Sequence, residues 1–258
     1  RDFHYYYINQ TSALVSDWTL FNSFYNKNSF LDGLKEYLKK MPDNPNMKTI
    51  EQIDEKSSIL HLGCDLKKFD KYKINKPNKI PNILWNHRWE YDKNPQLFFE
   101  TLFKIKECNF EFNLIVLGER FSAYPEIFDL AKKELSNQII HWGYCDSFEE
   151  YSKWLWKSDI IPVTSNQDFF GISIVEAVYC NSKPILPNKL AYPEIFDISK
   201  NKKIFYNDES DFFNRLHHEI LNFNKENLFV NEIDKFDWTN MIKQYDKTFT
   251  ILKEKLTD

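Results

Sequence analysis

Two carboxylates, Asp168 and Glu176, stand with seven residues between them in Asp168–Cys180, DFFGISIVEAVYC. Ahead of them the apolar, β-branched run Asp159–Ser165 (DIIPVTS) predicts a buried strand, and Ile172–Cys180 has helix length and helix-forming residues. The segment therefore reads strand, loop, helix, with Gly171 opening the helix. The first N–H groups of a helix have no intrahelical partner and carry the positive end of its dipole, so such a junction suits a diphosphate, and Gly171 lets an anion come close. Glu176 falls inside the helix among Ile172, Ile174, Val175, Ala177 and Val178, where an unpaired carboxylate costs on the order of several kcal/mol. It needs a partner. Sugar hydroxyls would serve; so would a nearby Lys or Arg, in which case Gly171 is an ordinary loop glycine.

Cations complementary to a diphosphate are mostly lysine. Of 34 Lys and Arg residues, four are arginine: Arg1, Arg88, Arg120 and Arg215. Arg88 follows an apolar run, and Lys93 lies five residues on. The net charge of −4 and a sequence pI near 5.9 exclude nucleic-acid binding by overall basicity. A local patch stays open at Asp65–Lys79, which carries Lys67, Lys68, Lys71, Lys73, Lys76 and Lys79 with Phe69 and Tyr72 interleaved. Its plainer reading is a solvated interdomain linker.

With 258 residues, 42% hydrophobic and 17% aromatic, the chain can bury a core and hold one large or two smaller domains. No run approaches the ~18 apolar residues of a membrane span, and the opening RDFHYYY lacks signal-peptide features, which predicts a cytoplasmic protein with no membrane partner. Cys64, Cys108, Cys145 and Cys180 are far apart without metal-type pairing, so free buried thiols are expected and no metal is implied.

From residue 83 onward apolar runs alternate with helical patterns: 83–86 then 95–108, 112–118 then 124–135, 138–142 then 148–157, 159–163 then 171–181, 183–186 then a short helix, 203–206 then 209–223. This alternation predicts βαβ units, a parallel sheet and a complete α/β Rossmann-like domain, with Gly118, Gly143 and Gly171 each just after a strand. Before it, residues 5–16 read as helix, 18–22 as strand, 23–41 as amphipathic helix and 58–62 as strand. Two strands do not make a stable doubly wound sheet. With Arg at position 1, this predicts preceding strands of a first domain, about a hundred residues by domain size. The expected division is 1–79, a partial N-terminal domain and linker; 80–236, the nucleotide-sugar domain; and 237–258, an amphipathic helix with Trp238, Met241, Ile242, Tyr245, Phe249 and Leu252 on one stripe, packing toward the first domain.

The order HLGCDLKKFD, ILWNHRWEYDKNPQLFFETL, LIVLGE, IIHWGY, DFFGISIVEAVYC, KPILPN resembles the retaining GT-B glycosyltransferases of the large family that includes sucrose and glycogen synthases, over essentially the whole chain. Within it, WNHRWEYDKNP, HWGY, FFGISIVEAVYC and LAYPEIF are similar to the tRNA-queuosine mannosyltransferases, which attach mannose from GDP-mannose to queuosine. The resemblance implies that Arg88 and Lys93 hold the donor diphosphate, where cations stabilise the charge that develops as the sugar leaves. The alternative for Arg88 is a surface salt bridge to Glu90 or Asp92. Asp168 matches the first carboxylate of the family's pair, near the transferred sugar, and Glu176 the second, near the ribose. Asp in place of the usual Glu reaches about one methylene less. Gly171, Ile172 and Ser173 match the helix start whose amides meet the phosphates, and Phe170 is counted with them as donor-binding. Asn181 replaces a glycine, and Asn tolerates a left-handed cap. Tyr144 falls where relatives contact the nucleobase, or is an ordinary strand-end aromatic. His61 and His87 read as structural.

The function implied is metal-independent, cofactor-free transfer with retention from GDP-mannose to tRNA queuosine. The acceptor attacks the face that GDP leaves, and the diphosphate takes the proton. No obligate protein partner is implied. Rival readings are transfer from another nucleotide sugar to a glycan or small molecule, and a donor- or RNA-binding fragment without turnover.

Overall fold

The structure, a computed structural model, describes residues 3–74, 78–223 and 230–257, so Lys76 of the lysine-rich run lies outside the described residues. It divides into two compact units, 1–63 with 239–258, and 64–238.

The first unit contains α1 (Phe3–Val15), β1 (Thr19–Phe21), α2 (Phe24–Leu38), α3 (Lys48–Glu55) and β2 (Ser57–Ile59). β1 and β2 pair in parallel with Thr19 opposite Ser57. Ser23 starts α2 by accepting from the Asn26 amide at 3.0 Å, the usual service of an N-cap serine. α3 is absent from the sequence reading. It is a short helix without a side-chain cap, and it places buried Ile53 beside Ala13 and Leu34.

The second unit runs through β3 (Asn82–Asn86), α4 (Pro95–Glu107), β4 (Asn113–Leu117), α5 (Ile127–Glu134), β5 (Ile139–Trp142), α6 (Phe148–Lys157), β6 (Ile160–Pro162), α7 (Ile172–Tyr179), β7 (Lys183–Pro187), α8 (Tyr192–Ile195), β8 (Phe205–Tyr206), α9 (Glu209–Leu221) and α10 (Val230–Ile233). α11 (Trp238–Thr257) follows. The strands form one parallel sheet in the order β5-β4-β3-β6-β7-β8, the doubly wound order in which direction reverses between β3 and β6. Side-chain caps fix several helix starts: Asn94 for α4, Ser147 for α6 and Asp208 for α9. Asn181, left-handed at φ 72°, makes the turn after α7 that a glycine usually makes.

In the lysine-rich run the described lysines are exposed, as a solvated segment predicts, but residues 65–74 group with the second unit. Lys67–Tyr72 is a 3-10 helix whose Phe69 is fully buried. Its start is held by the buried Asp237 carboxylate, which accepts from the Leu66 and Lys67 amides, both at 3.1 Å. Phe69 gives its carbonyl to Trp156 Nε1 at 2.8 Å. The lysines are engaged as well: Lys68 lies over Phe148, Lys71 over Tyr72 and Lys73 over Trp156. The interleaved aromatics that suggested a nucleic-acid patch therefore anchor the segment to its own unit.

None of the four cysteines is in a disulfide. Cys64 and Cys180 are buried, as expected, but Cys145 is half-buried and Cys108 exposed. Among the described residues, no helix is long and apolar enough to cross a membrane.

Candidate functional site

The sheet's reversal between β3 and β6 opens a crevice at the carboxyl ends of the strands, where ligands bind in doubly wound folds. The loop after β3 is fixed by aromatic residues. Trp85, buried against Phe98 and Phe128, donates its indole N–H to the His87 carbonyl at 2.9 Å; Trp89, stacked on Phe128, donates to the Leu117 carbonyl at 3.2 Å. Gly118 has φ 108°, and a Cβ there would lie 1.9 Å from the His87 carbonyl oxygen. The backbones after β3 and β4 touch at a point where only glycine fits.

A cavity of ≈ 330 Å³ is lined by Asn86, His87, Arg88, Lys93, Gly118, Asp168, Gly171, Ile172 and Ser173. Arg88 and Lys93 thus line one cavity with Asp168, far from them in sequence, at the start of α7. Gly171 adopts a left-handed conformation (φ 87°, ψ 50°) and supplies no side-chain cap, so the opening amides of α7 keep their capacity for an anion.

The cations are held differently. Lys93 Nζ donates to the Gln167 carbonyl at 2.8 Å and lies 3.4 Å from Asp92 and 3.7 Å from Asp168. Arg88 is half-exposed and pairs with Glu90 at 3.1 Å, the surface salt bridge weighed from sequence, while still lining the cavity. Asp168 accepts from Tyr192 Oη at 3.0 Å and from the Phe170 amide at 3.4 Å. Burial and the nearby Asp168 charge push the Tyr192 phenol well above its ordinary pKa, so it stays a donor.

Glu176 has a partner that the sequence reading did not name. Its Oε2 accepts from Tyr151 Oη at 2.7 Å, and that hydroxyl accepts from Asn86 Nδ2 at 3.0 Å. Asn86 also donates to the Ser173 carbonyl at 2.9 Å. Burial raises the Glu176 pKa, against the opposing effects of the Tyr151 bond and the Lys68 charge. Phe170 does not line the cavity: its ring is buried edge-on to Phe236 at 5.2 Å, so only its backbone belongs to the loop.

Tyr144 is exposed and lines a second cavity of ≈ 340 Å³ with Asn86, Leu117, Gly118, Cys145, Asp146, Ser147, Phe148 and Tyr151. The two cavities share Asn86 and Gly118. Together they give a polar, cation-bearing pocket beside a more apolar one, a pairing that suits a phosphate group joined to a ring. His87 is buried, and burial first, then Lys93, lowers its pKa to about 3, so it is a neutral ring. His61 gives its carbonyl to Tyr245 Oη at 3.0 Å within the first unit.

Sequence reasoning missed Asn86, Tyr151 and Tyr192. Asn86 left a signal, a polar residue closing an apolar strand. Tyr151 is half-buried on the same face of α6 as half-buried Phe148 and buried Leu155, so its spacing announces packing and not its hydroxyl.

Residues 67–231 match the family described as Glycosyl transferases group 1. The fold agrees: sucrose-phosphate synthase from Thermosynechococcus elongatus superposes at a TM-score of 0.70 with 15% identity, over 98% of this chain and 63% of that one. A glycosyltransferase from Rickettsia africae superposes at 0.68 with 18% identity, over 100% of this chain and 68% of that one. These are glycosyltransferases of the GT-B class. Residues 1–64 match the tRNA-queuosine alpha-mannosyltransferase N-terminal family, and a tRNA-queuosine alpha-mannosyltransferase from Drosophila melanogaster is 31% identical over 262 residues. The chain belongs to the group 1 glycosyltransferases, in the branch of the tRNA-queuosine alpha-mannosyltransferases. It spans about two thirds of the length of these relatives, 67% of the Drosophila protein and 63% of the sucrose-phosphate synthase.

Proposed function

We propose that this chain binds GDP-mannose on its second unit and serves the transfer of mannose to queuosine in tRNA, with retention at the sugar. The observation that carries the donor half is the cavity in which Arg88 and Lys93 face the glycine-opened start of α7. There the diphosphate would rest on the α7 amides and the two cations. Charge builds on it as the sugar bond breaks, and fixed cations in a partly desolvated site stabilise that charge. Asp168, held by Tyr192, would accept hydroxyls of the departing sugar; Glu176, held by Tyr151, would face the ribose. The second cavity, with Tyr144 at its rim, would take the base.

The acceptor oxygen attacks the face from which GDP departs, and the leaving diphosphate receives its proton, so the transfer draws on no metal or cofactor. Likeness to the Drosophila enzyme supports queuosine-tRNA as acceptor; the cytoplasm as the place of action is part of the same proposal.

Two measurements test this reading. GDP-mannose should raise the melting temperature in proportion to occupancy, and UDP-glucose should not. Radiolabelled GDP-mannose with queuosine-containing tRNA should yield a labelled nucleoside absent from queuosine-free tRNA. A shift with UDP-glucose alone would overturn the donor; label on a glycan and none on tRNA would overturn the acceptor.

A further inference from the structure

The connection from β5 to α6 gathers three metal-ligating side chains that sugar transfer does not use. His141, Cys145 and Glu150 each offer one ligand atom, and these atoms lie within 4.8 Å of one another. The ring nitrogen facing the group is His141 Nε2, 3.7 Å from Cys145 Sγ and 3.2 Å from the Gly143 carbonyl oxygen. Tetrahedral zinc, with Zn–S of about 2.3 Å and Zn–N of about 2.0–2.1 Å, sets its sulfur and nitrogen ligands about 3.6 Å apart. The observed pair is already spaced for one ion between them.

Local structure holds all three in place. His141 leaves β5 with its ring against Trp154 at 4.6 Å, which orients the imidazole. Gly143, at φ 123°, turns the chain, and Ser147 caps α6 by accepting from the Glu150 amide at 3.1 Å, which sets Glu150 in the first turn. We propose that His141, Cys145 and Glu150 form a three-ligand site for a divalent transition-metal ion of the zinc class. One nitrogen, one sulfur and one oxygen donor favour a borderline ion over magnesium or calcium, which take oxygen alone.

The charges balance. Cys145 binds as thiolate and releases one proton to solvent; His141 binds neutral with its proton on Nδ1; Glu150 binds as carboxylate. Two negative ligands cancel the dication, and no oxidation is involved. Without an ion the thiol is poorly placed to ionise, since burial, then Glu150 and Asp146, pushes it up to about 11; a bound cation reverses that. Three protein ligands leave the fourth position of the ion to water; because Cys145 also walls the cavity that holds Tyr144, the ion would brace the 143–147 turn and take no part in the transfer.

Cobalt(II) is the probe, in a Cys108→Ser background that removes the exposed thiol. One Co²⁺ should bind per chain, with a thiolate-to-cobalt charge-transfer band that Zn²⁺ abolishes, and calorimetry in two buffers should count one proton released. Cys145→Ser should erase the band, while His141→Ala and Glu150→Gln, which remove direct ligands, should weaken affinity by more than the about 10–100-fold that loss of an outer-shell partner costs. Circular dichroism of each metal-free variant shows whether it is folded. Absence of the band, or a band unchanged in the Cys145 and His141 variants, would leave only a thiol–imidazole hydrogen bond and overturn the site.

Discussion

Tyr151 Oη donates to Glu176 Oε2 at 2.7 Å, and through that bond α6 holds the carboxylate of α7. The same hydroxyl receives Asn86 Nδ2 at the end of β3, so one phenol joins three elements under the two cavities. Burial alone would favour a protonated Glu176; the Tyr151 bond and Lys68 pull the other way.

Tyr151→Phe removes that hydroxyl with little change in packing. Among the described residues Glu176 then has no side-chain donor and Asn86 has one acceptor fewer, which should cost about 1–3 kcal/mol, the range for a buried polar group left unsatisfied. Chemical denaturation reads this as a lower midpoint at unchanged slope. Glu176→Gln should cost less, because its amide oxygen still accepts from Tyr151. Equal stability of Tyr151→Phe and the wild type would show that the bond does not hold Glu176.

At the diphosphate position the cations should separate in two assays. Lys93→Ala should lower the transfer rate by about 10²–10³, the effect of losing one preorganised electrostatic donor. Arg88 is detained by Glu90 in an exposed pair, and such pairs contribute about 0–1 kcal/mol. Glu90→Ala should therefore tighten GDP binding by up to about fivefold in calorimetry, and Arg88→Ala should weaken it. Weaker GDP binding in Glu90→Ala would show that Glu90 serves the ligand and does not compete with it.

The parallel sheet and its crossover helices were legible because the strands fall in short apolar runs and several helices carry their own start signal, such as Ser147 or Asp208. The convergence of Arg88, Lys93 and Asp168 was legible through motif order. The partners were not. Tyr192 comes to Asp168 from 24 residues downstream and Tyr151 to Glu176 from 25 residues upstream. Which of 14 tyrosines supplies a hydroxyl is decided by tertiary packing, which leaves no local pattern. The anchoring of the lysine-rich run was hidden for a related reason. Its described lysines are exposed, as the sequence suggests, but Lys68 and Lys73 lie over rings of the same unit, and buried Phe69 and Asp237 fix the backbone beneath.

Three glycines follow strands, and alanine should separate them. At Gly118 the new Cβ would overlap the His87 carbonyl at 1.9 Å, so Gly118→Ala should displace the β3 loop and destabilise by about 3 kcal/mol or more. At Gly171 the Cβ meets the Tyr192 ring at 3.0 Å with φ 87°, and the left-handed conformation alone costs about 1–2 kcal/mol. Gly143, at φ 123°, has open space around its Cβ and should cost only the backbone strain. Thermal melts should rank the losses 118 above 171 above 143; a mild Gly118→Ala would deny the contact between the two loops.

His87 gives the fold a dependence on pH. Its native pKa lies near 3 because burial and the Lys93 charge disfavour the imidazolium, Asp92 opposing only in part, whereas an unfolded histidine titrates near 6.5. Between those values the unfolded chain binds the extra proton, so acid favours unfolding and stability rises with pH through the window. From pH 7 to pH 5 the loss from this residue should be about 2 kcal/mol. That figure does not depend on the native pKa so long as it stays below 5. Glu176 works in the opposite sense, since a raised carboxyl pKa makes the native state the better proton binder as the pH falls. The informative quantity is therefore the difference between the wild type and His87→Gln, which keeps a polar side chain of similar reach and does not ionise. Unfolding by urea at pH 7 and pH 5 should show the wild type losing about 2 kcal/mol more than the variant. Equal losses would mean that His87 takes up its proton in the native state, and that the β3 loop opens to water in acid.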